Sequence, residues 1–253
     1  DRSGYATDCY VDDEDQQVFS IITVSEDAIT GKAYQCQDSD TDEKEEMDQW
    51  NNWKVVDSYE IRNTVRDGKK VTDYTDVKSS DWFYDAAAFV TENKLVSGEE
   101  AYKFGGNEII TRAEAAQALY NLAGRPDCQL TTAFTDVTER SQQRDAISWV
   151  YQQGIMLGTG DGVFSPDRPL TRGMFATILA RYAKLQGKDM STMVELSTFT
   201  DAASIPGAYA DGVRWCAANK IVEGRSDGTF ASQASLTRAH MSTMLMRFVQ
   251  LGK

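Results

Sequence analysis

The chain has 253 residues, of which 41% are hydrophobic, enough for one or two globular domains with a proper core. Its four cysteines form no CxxC pair and it has a single histidine, so there is little material for a zinc site and metal-dependent hydrolysis is disfavoured. No stretch approaches the roughly 18 consecutive apolar residues that a spanning helix needs, so we expect no membrane insertion.

The net charge of −13 is unevenly distributed along the chain. Residues 1–73 contain 19 acidic and 8 basic residues, whereas residues 74–253 contain 20 and 18. This difference predicts a domain boundary near residue 74. Neither part has a stripe of Lys and Arg, so we do not expect nucleic-acid binding.

The first part reads as a small β-rich segment. Residues 18–24 are rich in β-branched side chains, and residues 59–65 alternate with the period of a half-buried strand. The Asp-Gly pair at 67–68 then predicts a hairpin turn into a strand over 69–74. The acidic run at 38–48 is expected to be an exposed loop or a short surface helix.

The acidic run begins like a calcium-binding loop, with Asp38, Asp40 and Asp42. A calcium loop needs glycine at its sixth position and glutamate at its twelfth, but these positions are Glu43 and Gln49. The pattern therefore argues against a metal site.

The cysteines allow two disulfides. Cys9 and Cys36 flank the first predicted strand and are the candidate pair if the protein is exported. The second half of the chain contains a repeat, described next, and Cys216 stands at a position where another copy of that repeat has valine. We therefore expect Cys216 to be a buried thiol rather than to form a disulfide with Cys128.

From residue 74 onward the chain repeats three times. An acidic landmark and a basic landmark are separated by 27 residues in every copy. These landmarks are Asp85 and Arg112, Asp145 and Arg172, and Asp211 and Arg238. Periods of 60 and 66 residues predict a repeat architecture of paired helices.

Each copy contains two amphipathic patterns. The first has apolar or small residues at i, i+3 and i+4, and the second has them at i, i+4 and i+7. The first set is Ala86/Phe89/Val90, Ala146/Trp149/Val150 and Gly212/Trp215/Cys216, and the second is Ala115/Leu119/Leu122, Phe175/Leu179/Tyr182 and Met241/Leu245/Phe248. Trp149 and Trp215 are therefore expected in the core.

Each second helix has a clear predicted start. Thr111, Thr171 and Thr237 are good N-caps, and in the first copy Glu114 completes a capping box. The apolar residue before each cap is expected to pack against the fourth helical residue.

An arginine follows each cap, where its charge faces the positive end of the helix dipole at a cost of a few tenths of a kcal/mol. The arginine is present in all three copies, whereas Glu114, which stabilises the cap, is replaced by Met174 and His240 in the other copies. His240 is interpreted as a partly exposed substitute for the glutamate. A guanidinium beside free backbone N–H groups suits a carboxylate or phosphate, so Arg112, Arg172 and Arg238 predict anion sites. The alternative is an ion pair with the first-helix aspartates.

The patterns FTDV, WFYDAAAFVTENKLVSG, DGVFSP and LTRG in this chain resemble the S-layer homology domain in triplicate. The resemblance covers residues 74–253. It implies a mainly α fold, a pseudo-threefold three-pronged spindle of helices, in addition to the N-terminal β-rich segment. It also implies an exported protein held non-covalently at the cell wall of a Gram-positive bacterium by secondary cell-wall polysaccharide, often through a pyruvylated amino sugar.

The resemblance also implies which residues bind the polysaccharide. It places the arginines of the three TR motifs at the sites, together with Glu114 of the complete TRAE motif and the early Trp82. The Asp-Gly turns at Asp161-Gly162 and Asp227-Gly228 match the family's loop, and their aspartates could accept sugar hydroxyls or only stabilise the turn. In the first copy Glu99-Glu100-Ala101 replaces this turn.

The predicted organisation is a β-rich segment at 1–73 followed by repeats 1, 2 and 3 at 74–126, 134–187 and 199–253. We expect no enzymatic activity and no cofactor. Two other functions stay open: a scaffold for protein–protein contact or surface self-assembly, and an enzymatic site within residues 1–73.

Overall fold

The structure is a computed structural model. It describes residues 69–131, 133–138 and 141–251 in full, and of the residues before 69 only the backbone of four strands. The chain divides into two compact units, Asp1–Lys69 and Lys70–Lys253. No described helix is long and apolar enough to cross a membrane.

The first unit contains a four-stranded antiparallel sheet in the order β1-β2-β3-β4. The strands are β1 Gly4–Val11, β2 Gln17–Val24, β3 Ala28–Cys36 and β4 Trp53–Arg62. The predicted strand at 18–24 is confirmed, and the one at 59–65 coincides with the end of β4 as far as residue 62. The sequence patterns did not indicate β1 and β3.

Two predictions in this unit are not tested. Cys9 lies in β1 and Cys36 ends β3, with β2 between these strands, and their side chains are outside the described residues. The calcium-like run of Asp38, Asp40 and Asp42 is also outside them.

The predicted strand at 69–74 is wrong, because Val71–Asp73 is a 3₁₀ helix. The Asp73 carboxylate accepts the N–H of Lys70 at 2.9 Å, and the N–H of Asp73 donates to the Lys70 carbonyl at 3.0 Å. This local capping competes with an extended conformation.

Six helices form the second unit within the described residues. They are α1 Tyr84–Glu92, α2 Arg112–Leu122, α3 Arg144–Gln152, α4 Arg172–Leu185, α5 Gly207–Ala218 and α6 Arg238–Val249. Each repeat contributes two of them, which confirms the predicted helix pairs.

The helices pair between repeats. Helix α3 packs on α2, α5 packs on α4, and α1 packs on α6, so the first helix of each repeat contacts the second helix of the repeat before it. The contact between α1 and α6 closes the cycle. The three repeats therefore form one pseudo-threefold body rather than an open row.

A ring of backbone hydrogen bonds closes the same cycle. The N–H of Ile110 donates to the carbonyl of Leu236, that of Leu236 to Leu170, and that of Leu170 to Ile110, each at 2.9 Å. All three side chains are fully buried. Ile110, Leu170 and Leu236 are the apolar residues before the caps, each predicted to pack against its own helix. Their backbones thus also join the three repeats.

The predicted core residues are buried, except that Phe89 and Leu122 are only partly buried against the core. Trp149 and Trp215 are in the core, and the indole N–H of Trp215 donates to the Asp189 carbonyl at 2.9 Å. Cys216 is completely buried and its thiol lies 3.4 Å from the Ala176 carbonyl, while Cys128 is also a free thiol. Burial raises the pKa of the Cys216 thiol. The prediction of a buried, unpaired Cys216 is confirmed.

One residue in each repeat adopts a left-handed backbone after the loop. Gly105, Ser165 and Ala231 have φ of 69°, 59° and 57°. A side chain in this region costs about 1–2 kcal/mol, so we expect Ala231→Gly to raise the free energy of unfolding by about 1 kcal/mol. Chemical denaturation of this variant, with Ala234→Gly as the control at an ordinary φ, measures the gain. A loss of stability in Ala231→Gly would contradict this expectation.

Candidate functional site

Each second helix begins with the predicted threonine cap. The hydroxyls of Thr111, Thr171 and Thr237 accept the N–H of the third helical residue at 3.2, 3.3 and 3.4 Å. Glu114 completes the predicted capping box by accepting the N–H of Thr111 at 2.8 Å. His240 stands at the same position, but its Nδ1 lies 2.7 Å from the Thr237 hydroxyl rather than accepting the Thr237 N–H, so repeat 3 has no capping box.

The first two N–H groups of each second helix are already bonded to the next repeat in the cycle. The N–H groups of Arg112, Arg172 and Arg238 donate to the carbonyls of Arg168, Ala234 and Glu108, and those of the following residues donate to Pro166, Ser232 and Gly106. The expectation of free backbone N–H groups beside the arginines is therefore wrong. Buried N–H groups need partners, and the neighbouring repeat supplies them.

The Arg112 side chain holds repeat 1 against repeat 2. Its Nε donates to the Phe164 carbonyl at 2.8 Å and its Nη2 to the Leu157 carbonyl at 2.6 Å. The guanidinium also lies over the Phe164 ring, 4.5 Å from its centroid. Burial, followed by the charge of Arg168, lowers the pKa of Arg112, which nevertheless stays protonated.

Arg172 makes the equivalent contacts with repeat 3. It is only 8% exposed, and it donates from Nε to the Phe230 carbonyl at 3.1 Å and from Nη2 to the Glu223 carbonyl at 3.2 Å. Its Nη1 has no hydrogen-bond partner among the described residues. Burial lowers the pKa of Arg172, and the charge of Arg225 lowers it further, so the two cations repel each other.

Arg238 differs from the other two because it has a carboxylate partner. Its Nη1 donates to the Ser97 carbonyl at 3.3 Å and its Nη2 to Glu114 Oε1 at 2.8 Å. This ion pair joins repeat 3 to repeat 1. The sequence suggested Asp85, Asp145 and Asp211 as ion-pair partners of the arginines. The carboxylate that pairs with Arg238 belongs instead to Glu114, the capping residue of the next repeat.

A groove of about 350 Å³ lies at the outer end of Arg172 and receives side chains from all three repeats. The residues that matter here are Trp82, Arg172, Glu223, Arg225, His240 and Arg247. Arg247 pairs with Glu223 at 3.1 Å, and Asp85 is a second acidic residue on the wall. Three arginines against two acids leave the groove with a net positive charge.

Trp82 and His240 form one side of this groove. Trp82 is 63% exposed, and its ring centroid lies 5.0 Å from that of His240. Burial, followed by the charges of Arg172 and Arg225, lowers the pKa of His240, so its imidazole is neutral at pH 7. The groove thus combines an exposed aromatic surface with a buried cation.

The two Asp-Gly turns are exposed at the loop tips. Asp161 and Gly162 both have positive φ, 48° and 70°. Asp227 accepts the N–H of Thr229 at 2.9 Å and its hydroxyl at 2.7 Å, so this carboxylate stabilises the turn. Neither Asp161-Gly162 nor Asp227-Gly228 lines the groove around Trp82.

Repeat 1 has a turn equivalent to these Asp-Gly turns, but its residues are not the ones predicted from the sequence. A β-bridge joins Glu100 to Lys103, in the same way that one joins Gly160 to Val163. Ala101 and Tyr102 therefore occupy the Asp-Gly positions of repeat 1, instead of 99–101.

One aspartate in each repeat anchors the loop. The sequence patterns did not single out these aspartates. The carboxylates of Asp76, Asp136 and Asp201 each accept two successive backbone N–H groups at 2.7 to 2.9 Å. The donors follow the turn and belong to Phe104 and Gly105, Phe164 and Ser165, and Phe230 and Ala231. The repetition of the TD dipeptide at the start of every copy was the available signal.

Comparison with known proteins assigns the repeats. The sequence profile of the S-layer homology domain matches residues 73–116, 133–176 and 198–242. These three matches together cover more than half of the chain.

The chain is similar to several curated proteins. It is 24% identical to an endoglucanase of a Bacillus species over 72% of this chain and 19% of that protein. It is 31% identical to a cellulosome-anchoring protein of Acetivibrio thermocellus over 56% of this chain and 32% of the relative. It is 28% identical to a surface-layer 125 kDa protein of Lysinibacillus sphaericus over 56% of this chain and 12% of the relative.

These matches span no more than about a third of each of those relatives. The chain belongs to the S-layer homology domain family.

Proposed function

We propose that the chain anchors an exported protein non-covalently to the cell wall of a Gram-positive bacterium by binding acidic secondary cell-wall polysaccharide. The ligand group is a carboxylate, such as the pyruvyl ketal of an amino sugar. The helical repeats act as a binding module and carry no catalytic step. The anchoring and surface-layer relatives support this role.

One observation carries the proposal: Arg172 is buried at the wall of an open groove and has no carboxylate partner among the described residues. It also lies near the cationic Arg225. A buried cation that faces another cation is stabilised by an anion, and a guanidinium holds a carboxylate with short, charge-assisted hydrogen bonds. Its Nη1 is the donor that remains for such a ligand.

The rest of the groove suits a sugar ring. Trp82 offers an exposed aromatic face, and His240 offers a neutral imidazole beside it. An aromatic ring with polar groups at its edge binds the apolar face of a sugar while the polar groups bind hydroxyls. The turn aspartates Asp161 and Asp227 are assigned to loop structure in this proposal.

The proposal predicts that the protein pellets with wall sacculi. Hydrofluoric acid, which strips the secondary polymer, should abolish pelleting. We expect Trp82→Ala to lower the affinity for untreated sacculi about tenfold, because a stacking contact is worth about 1–2 kcal/mol, while circular dichroism stays unchanged.

Tyr102→Ala is the matched control, since Tyr102 is an equally exposed aromatic, at 66%, outside the groove. Pelleting that survives stripping would contradict polysaccharide binding and favour a protein–protein scaffold. Equal losses in both variants would contradict the assigned groove.

A further inference from the structure

In repeats 1 and 3 the third residue of the second helix lies beside the arginine of the preceding repeat in the cycle. In repeat 1 this residue is Glu114, which caps its own helix through Oε2 and holds Arg238 through Oε1 at 2.8 Å. One carboxylate therefore performs two tasks at the boundary between repeats 3 and 1.

The other two boundaries lack this carboxylate. The third helical residue of repeat 2 is Met174, and that of repeat 3 is His240, which lines the same groove as Arg172. No described ion pair involves Arg112 or Arg172. Arg172 lies near a second arginine, Arg225, whose charge acts on it. The charges acting on Arg112 are those of Arg168 and of the carboxylate of Asp136.

We propose that the third helical residue decides whether the arginine beside it takes the ligand carboxylate: Glu114 occupies Arg238 as an internal carboxylate, whereas His240 leaves Arg172 open. This inference rests on the proposed function and deepens it. It places ligand binding at Arg172 rather than at Arg238 and makes Glu114, which the family resemblance implied to be a ligand contact, a residue that blocks binding.

The energetics of the ion pair support a blocked groove. The Arg238 side chain is 7% exposed, and both of its terminal nitrogens already have acceptors. A ligand carboxylate would have to displace Glu114, which would leave a partly buried carboxylate without its cation and would strain the helix cap. Arg172 needs no such displacement.

His240→Glu tests the inference at the Arg172 groove. The new carboxylate should pair with Arg172 and complete a capping box like that of repeat 1. We expect the dissociation constant of this groove for a synthetic pyruvylated N-acetylhexosamine, measured by calorimetry, to rise about 30-fold. The thermal midpoint should stay the same or rise, because the cap improves.

Two further variants separate the effect of the added carboxylate charge from the effect of losing the imidazole. Gln250→Glu adds the same charge at the exposed residue that follows α6 and does not line the groove, and it should bind like the parent protein. His240→Gln removes the imidazole without adding a carboxylate, and it should bind at least tenfold more tightly than His240→Glu.

Glu114→Gln provides the reciprocal test. Glutamine can still form the capping box but no longer neutralises Arg238. The number of sugars bound should therefore increase by one.

The possible outcomes distinguish the two proposals. A parent protein that does not bind the pyruvylated sugar would overturn both. A parent that binds, together with a folded His240→Glu variant that binds equally well and an unchanged stoichiometry in Glu114→Gln, would overturn only the role of the third helical residue.

Discussion

Asp136→Ala is expected to lower the free energy of unfolding by about 3 kcal/mol, because two charge-assisted hydrogen bonds are lost at once. The Asp136 carboxylate accepts the N–H of Phe164 at 2.8 Å and that of Ser165 at 2.7 Å. Phe164 is fully buried and stacks under Arg112, so its N–H would lack a partner inside the protein. Urea denaturation followed by tryptophan fluorescence measures the loss.

Asp167→Ala is the control for this variant, since Asp167 is an exposed aspartate of the same repeat. Its replacement should change stability by less than about 0.5 kcal/mol. If Asp136→Ala lost less than about 1 kcal/mol, the carboxylate could not be the anchor of the loop.

Gly212→Ala is expected to lower the free energy of unfolding by about 2 kcal/mol, although alanine is the better helix former. A Cβ at Gly212 in α5 would lie 2.6 Å from the Cα and 2.9 Å from the backbone nitrogen of Thr177 in α4. Backbone atoms of a packed helix cannot move aside, so the two helices must separate. Thermal unfolding monitored by circular dichroism reports the change.

Gly207→Ala in the same helix isolates the packing effect. A Cβ there would meet no atom within 4 Å, so the variant should be neutral or slightly stabilised. Equal behaviour of the two variants would show that the close approach of α4 and α5 does not limit stability.

The local features of the repeats were predictable from the sequence. The six helices, and the threonine caps of three of them, depend on residues within one or two turns of each other. The apolar spacing identified Trp149, Trp215 and Cys216 as core residues. The strand predicted at 69–74 failed for an equally local reason, because Asp73 caps a 3₁₀ turn at Lys70.

The partners of the arginines were not predictable from local patterns. Arg112 bonds to a carbonyl 52 residues away, Arg172 to one 58 residues away, and Arg238 to a carboxylate 124 residues away. The helix N–H groups are likewise far in sequence from the carbonyls that accept them, as with Arg112 and Arg168, which is why those groups were wrongly expected to be free.

The sequence by itself determined three capped helix pairs, a shared core pattern and an arginine that persists while its neighbours change. Only the tertiary structure decided what each arginine faces, because the cyclic packing puts the third helical residue of repeats 1 and 3 beside the arginine of the repeat before it. The change from Glu114 to Met174 and His240 looked like the loss of a cap. In the folded chain Glu114 is the counter-charge of Arg238, and His240 supplies no such charge to Arg172.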